Sequence, residues 1–106
     1  MKQYSGRRTE NGVAVTVDGM ALDPRLDLRN HSPTGFEWGY GGSGPAQLAL
    51  AILADHLGDD SAALAQYQNF KWGVVANLPI ESWTLSSEDI DEALRRLFGN
   101  QPITPT

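Results

Sequence analysis

The segment Pro45–Leu57 constrains this chain more than any other. Leu48, Leu50, Ile52, Leu53 and Leu57 are interspersed with Ala46, Ala49, Ala51 and Ala54. Proline suits the first turn of a helix, where a missing N–H costs nothing. At 3.6 residues per turn, Ala46, Ala49, Leu50, Leu53 and Leu57 line one face, while Leu48 and Ile52 raise a second apolar ridge. A helix that is apolar on most sides is stable only when other elements surround it. The segment therefore predicts a central, buried helix. Gly58 suits the left-handed position that ends a helix, and Asp59, Asp60 or Ser61 can cap the next one. Gly58–Ser61 reads as a tight helix–helix connection.

The rest of the chain must supply the cover. A second helix is expected from about Ala62 to Asn77, with Leu64, Tyr67, Phe70, Val74 and Leu78 at three- and four-residue steps. Gly73 weakens it by about 1 kcal/mol relative to alanine and leaves room for another element to approach. Leu78-Pro79 ends it, and Glu81-Ser82-Trp83-Thr84 reads as a connector carrying one aromatic plug. Ser86 with Asp89 forms a variant capping box, and Leu85 with Ile90 a hydrophobic staple. They open a third helix whose stripe is Ile90, Ala93, Leu94, Leu97 and Phe98. Its acids fall in the first turns, and Arg95 and Arg96 in the last, complementing the helix dipole.

Upstream, Val13, Val15 and Val17 share one parity, which is the period of a half-buried strand. Thr9-Glu10-Asn11-Gly12 supplies the turn, because Asn-Gly tolerates positive φ. The expectation is a hairpin, Gln3–Arg8 with Val13–Asp18, with Met20-Ala21-Leu22 as a candidate third strand. Asp23-Pro24-Arg25 reads as a turn and Leu26-Asp27-Leu28 as a brief extended piece. The fold class expected is α+β: an N-terminal β-hairpin, or a three-stranded antiparallel sheet, packed against three α-helices. One domain over residues 1–100 and a flexible tail over 101–106 complete the expected organisation.

Composition removes several functions. The chain has no cysteine, so disulfide scaffolds, thiolate nucleophiles and cysteine-based zinc sites are excluded. The apolar run around Ala46–Ala54 is far short of the roughly 20 residues that span a bilayer. Met-Lys-Gln-Tyr-Ser-Gly-Arg-Arg contains no apolar signal core, so a soluble cytoplasmic protein is expected. Eight Lys and Arg face thirteen Asp and Glu, a net charge of −5. The acids concentrate after residue 35. Nonspecific binding to a phosphate backbone needs clustered Lys and Arg, and this balance argues against it. A local basic patch from Arg7, Arg8, Arg25 and Arg29 stays open.

The sharpest candidate site is the loop that enters the central helix. It reads Phe36-Glu37-Trp38-Gly39-Tyr40-Gly41-Gly42-Ser43-Gly44-Pro45. Two readings compete for its glycines. Glycines at a helix N-terminus let backbone N–H groups converge on a phosphate or carboxylate, with Ser43 adding a hydroxyl and Arg25 or Arg29 a charge. Glycines equally permit tight packing beneath Trp38 and Tyr40. The string lacks the Gly-Lys-Ser/Thr ending of a Walker loop and the spacing of the dinucleotide fingerprint. Trp38, Tyr40 and Trp72 are candidates for a partner-binding hot spot, or for core packing. Trp72 sits off the helix-two stripe, on the side where the loop could dock.

No complete catalytic set is visible, so no catalytic residue, metal ligand or cofactor is expected. His31, Glu37 and Ser43 would have to meet in one cleft to act together. Glu37 would titrate high if buried among its aromatic neighbours. His56 near a helix C-terminus is favourable without any metal.

From Leu26-Asp27-Leu28-Arg29-Asn30-His31 through Phe36–Pro45 to Ala54-Asp55, the chain resembles a small domain family with no assigned activity. Tyr67-Gln68-Asn69-Phe70-Lys71-Trp72 and Trp83-Thr84-Leu85 carry the same resemblance. That family occurs in bacterial, archaeal and phage- or plasmid-linked genes. The resemblance implies a small accessory protein that works by binding host machinery, including defence systems. The expected function is thus a non-enzymatic binding protein whose partner is a host protein or nucleoprotein complex. The expected surface comprises Arg29, His31, Glu37, Trp38, Tyr40, Gly41, Gly42, Ser43, Gly44 and Trp72. The alternative is a small-molecule or nucleotide binder that uses the glycine loop as an anion cradle.

Overall fold

The computed structural model describes residues 2–33 and 35–98. Its elements are β1 (Gln3–Thr9), β2 (Gly12–Val17), β3 (Met20–Ala21), α1 (Ser43–Leu57), α2 (Asp60–Gly73), β4 (Ser82–Ser86) and α3 (Ser87–Phe98), with a 3-10 turn over Val75–Asn77. The strands form one antiparallel sheet in the order β3-β2-β1-β4. This is the α+β class the sequence predicts, with a fourth strand added.

The register explains the burial. Tyr4, Gly6 and Arg8 stand opposite Val17, Val15 and Val13 on one side and, for the first two, Leu85 and Trp83 on the other. Directly paired residues share a face, so this is the face turned to the helices. Tyr4, Val15 and Trp83 are buried there. The opposite face carries Ser5, Arg7, Ala14, Thr16, Ser82 and Thr84. Gly6 is required under Trp83, since a Cβ at residue 6 would lie 2.6 Å from the indole. The β2–β3 turn takes positive φ at Asp18 and Gly19 (51° and 84°), the conformation of a tight hairpin.

Helix α1 is the centre of the core, and every residue from Pro45 to Ala54 is buried. The one polar side chain in that run, Gln47, is fully satisfied. Its Oε1 accepts from the backbone N–H groups of His31 (2.7 Å) and Ser32 (3.1 Å), and its Nε2 donates to the carbonyls of Pro24 (2.6 Å) and Arg29 (3.0 Å). The long connection to α1 is thereby stapled to the helix. Gly58 closes α1 in the left-handed conformation, and the Asp59 side chain caps α2 by accepting from Ala62. The capping box of α3 forms as expected, Ser86 N–H to Asp89 and Asp89 N–H to Ser86 Oγ.

Four expectations need correction. The segment 81–84 is not a connector: Ser82–Ser86 is strand β4, paired along β1. Leu26–Leu28 is a turn closed by Leu28 N–H on Arg25 C=O, not an extended piece. Helix α2 stops at Gly73 instead of Asn77: Val74 leaves the helical conformation (φ −127°), the chain goes on as the 3-10 turn, and Gly73 leaves room for Leu97 of α3. Helix α1 begins at Ser43, two residues before the proline. The expected tail, 101–106, lies outside the described residues.

Candidate functional site

The loop before α1 is held by its aromatic residues and by one arginine. Trp38 is fully buried, packed edge-on against Trp83 with ring centroids 5.7 Å apart, and its indole N–H donates to Ile80 C=O at 2.9 Å. It is a core residue, which corrects its assignment to a recognition surface. Gly39 donates its N–H to Val75 C=O and takes φ +88°, with the Ile80 side chain against its Cα. Arg8, at the end of β1, donates two bonds to Glu37 (2.7 and 3.1 Å) and a third to Ile80 C=O, and its guanidinium lies over the Trp38 ring. Through these bonds, Arg8 holds Glu37 below the usual carboxylate range. The upward shift expected on burial does not occur, because the side chain is a third exposed and paired with a cation.

Past Trp38 the loop turns outward. Gly41 packs against the Trp72 ring, so any side chain at 41 would strike it. A Cβ at Gly42 would stand 3.0 Å from the Tyr40 ring, and one at Gly44 would stand 2.7 Å from Glu37 Cβ. Three large side chains end up on the surface along this loop: Tyr40, 50% exposed, Trp72, 60%, and Ile80, 48%. Gly39, Gly41 and Gly42 bridge them into one patch. Trp72 thus reaches the docked loop, as its position on the helix predicts.

The amides behind this patch are unspent. Among the described residues no acceptor takes the N–H of Gly41, Gly42, Ser43 or Gly44. Ala46 donates to Gly42 C=O and Pro45 has no N–H, so only the Gly41–Gly44 amides are left at this helix entrance. The expected arginines are elsewhere. Arg25 is clamped by Asp27 and Asp60, and Arg29 donates to Leu28 C=O. Lys71, which sequence reasoning passed over, stands against the Trp72 ring that packs on Gly41. It is 8% exposed, and its Nζ lies 4.3 Å from the centroid of the Trp72 ring.

The titratable candidates do not form a catalytic group. His31 bonds Tyr67 Oη at 2.7 Å, Glu37 is bound to Arg8, and the Ser43 hydroxyl has no bond to either among the described residues. His56 pairs with Asp91 of α3 at 2.7 Å. No cluster of three or more His, Cys, Asp or Glu stands ready for a metal ion among the described residues. The outer face of the sheet carries a concavity of about 440 Å³ lined by Ser5, Arg7, Thr16, Ser82 and Thr84, away from the glycine loop. No separate signal in the sequence marks it, because β4 completes it.

Fold and site together define a small α+β domain that presents an aromatic–glycine loop at the entrance of its central helix. The chain belongs to a family of unknown function, DUF6166, whose match covers residues 4–96. No curated protein and no solved structure matches it. No helix among the described residues is long and apolar enough to cross a membrane.

Proposed function

We propose that this chain is a non-enzymatic binding protein that docks onto a host protein or nucleoprotein complex through the loop Gly39–Gly44 and its flanking side chains. One observation carries the reading: Tyr40, Trp72 and Ile80 stand about half exposed in one contiguous patch around glycines that cannot bear side chains. Exposed aromatic residues set close together are the usual anchors of protein interfaces, and apolar patches on small domains commonly mark contact sites. The rigid support fits the role. Trp38, Arg8 and Gln47 fix the loop before any partner arrives, which lowers the ordering cost of binding. The likeness to phage- and plasmid-linked proteins points to host machinery, defence systems included, as the partner class and to the cytoplasm as the place of action.

The test is capture from host lysate with tagged chain, run in parallel with a Tyr40→Ala/Trp72→Ala variant. The expected result is a discrete partner retained by the parent and lost from the variant at unchanged thermal stability. Equal capture by both chains would overturn the assignment of this surface.

A further inference from the structure

Strand β4 ends the sheet and pairs only with β1. The bonds just beyond each end of that pairing fix its pattern. Arg8 N–H donates to Glu81 C=O at 3.1 Å, and Ser87 N–H donates to Lys2 C=O at 2.9 Å. Directly opposed residues of an antiparallel pair are hydrogen-bonded alternately. Tyr4–Leu85 and Gly6–Trp83 are therefore bonded pairs, and the N–H and C=O groups of Ser82 and Thr84 point away from β1. Both residues are exposed, and no group among the described residues takes up these open bonds. Sheet edges are commonly blunted by a charge, a proline or a bulge. Ser82-Trp83-Thr84-Leu85-Ser86 carries neither charge nor proline, and its register with β1 is unbroken.

The outer face beside this edge is the second observation. Arg7, directly opposite Ser82, lines the concavity of about 440 Å³ together with Ser5, Thr16, Ser82 and Thr84. No carboxylate lines it, and among the described residues Arg7 forms no salt bridge, whereas Arg8 is spent on Glu37. The Ser5 and Thr16 hydroxyls share one bond at 3.1 Å, which leaves one of their two protons free. An unpaired guanidinium among hydroxyl donors suits a carboxylate.

We infer that the open edge of β4 takes an extended segment of a partner protein as a further antiparallel strand, with an acidic side chain opposite Ser82 that meets Arg7. Across Ser82, the added residue's Cα stands about 10 Å from that of Arg7, one close and one bonded spacing together. An arginine and a glutamate bridge that span between them, and serine is short enough to let them meet over it. In strand addition the backbone bonds give affinity and the side chains give selectivity. The edge lies apart from the loop Gly39–Gly44, and the inference does not rest on the docking role of that loop.

The experiment is a titration of the full chain with the peptide acetyl-Thr-Val-Glu-Val-Thr-amide, followed by two-dimensional NMR of the backbone amides. Saturable shifts and slowed hydrogen exchange at Ser82 and Thr84 are expected, with a Kd of about 1 mM for so short a segment. The same peptide with Gln in place of Glu should bind about fivefold more weakly, the scale of one exposed ion pair. Arg7→Gln should weaken the Glu peptide about fivefold and leave the Gln peptide unchanged, which assigns the coupling to this pair. Thr84→Pro removes an N–H that the fold leaves free and should abolish binding of both peptides. Arg7 is exposed and unpaired among the described residues, so its variant decides the matter even if Thr84→Pro fails to fold. Trp72→Ala should leave both affinities unchanged, which separates this edge from the docking loop. Absence of shifts at Ser82 and Thr84 up to about 20 mM, far beyond the Kd range of a specific ligand, would overturn the inference. So would equal binding of the two peptides. Protection of these amides in the free chain that grows with protein concentration would overturn it too, because a second copy would then occupy the edge.

Discussion

Arg8 and Glu37 form a two-pronged ion pair that joins the end of β1 to the loop entering α1, with N–O distances of 2.7 and 3.1 Å. The third donor of Arg8 reaches Ile80 C=O, the carbonyl that also accepts from the Trp38 indole. One arginine thus ties together the strand, the loop and the segment bearing Ile80.

That geometry predicts a pH dependence. Arg8 depresses the Glu37 pKa, so the pair stabilises the fold above the unfolded carboxylate value of about 4.3 and loses that contribution as pH falls through the lower folded value. The side chains are 29% and 34% exposed, which screens the pair. Glu37→Gln should cost about 1 kcal/mol at neutral pH. The gap between the two chains should narrow as pH falls through the lowered folded value and close below it, where both carry a neutral group. Urea unfolding of both chains across pH measures it, and a gap that stays constant would contradict the assignment.

The contact of Gly6 with Trp83 predicts intolerance to the smallest change. Gly6→Ala puts a methyl group 2.6 Å from an indole wedged against Trp38. Both rings are more than nine-tenths buried, and overpacking of this kind costs about 1–3 kcal/mol. A thermal midpoint lowered by several degrees is expected. An unchanged midpoint would mean that the β1–β4 pairing is not as described.

Gln47→Leu keeps the volume but orphans two carbonyls and two amides of the loop at Pro24, Arg29, His31 and Ser32. The expected loss is about 2–4 kcal/mol, since each buried group left unpaired carries its own desolvation cost. Hydrogen exchange should show the His31 and Ser32 amides losing protection before those of α1.

Trp72→Ala should behave in the opposite way. The ring is 60% exposed and touches the loop only along one edge, so stability should change by no more than about 1 kcal/mol. A larger loss, measured by chemical denaturation, would show that the ring holds the loop in place instead of serving a partner.

Much of the architecture was legible along the chain, because its causes are local. The apolar helix, its Gly58 stop, the Asp59 cap, the Ser86–Asp89 box and the Val13–Val15–Val17 strand each depend on residues within a few positions of one another. Strand β4 was not legible in the same way. Trp83 and Leu85 do alternate with Ser82, Thr84 and Ser86, but two apolar residues are too few to define a strand. The free edge of β1 that makes them one lies at the far end of the chain. Gln47 did carry a signal, a lone polar residue in an apolar helix, and its meaning appears only with the loop it staples.

The sequence by itself determined the three helices, the Gln3–Val17 hairpin, the Gly58 stop, and that glycines crowd the entrance to the central helix. Those outcomes follow from backbone sterics, capping and periodicity, which act between near neighbours. Only the tertiary structure decided what the glycines are for. Gly41 admits Trp72, Gly44 admits Glu37, and Gly39 admits Ile80. It also divided the aromatic residues, burying Trp38 while leaving Tyr40 and Trp72 in water. It brought Arg8, from the far strand, onto Glu37 and Trp38 in place of Arg25 and Arg29, which stand closer to the loop in sequence. Such choices depend on close packing and charge pairing between distant segments, and local periodicity carries no information about either.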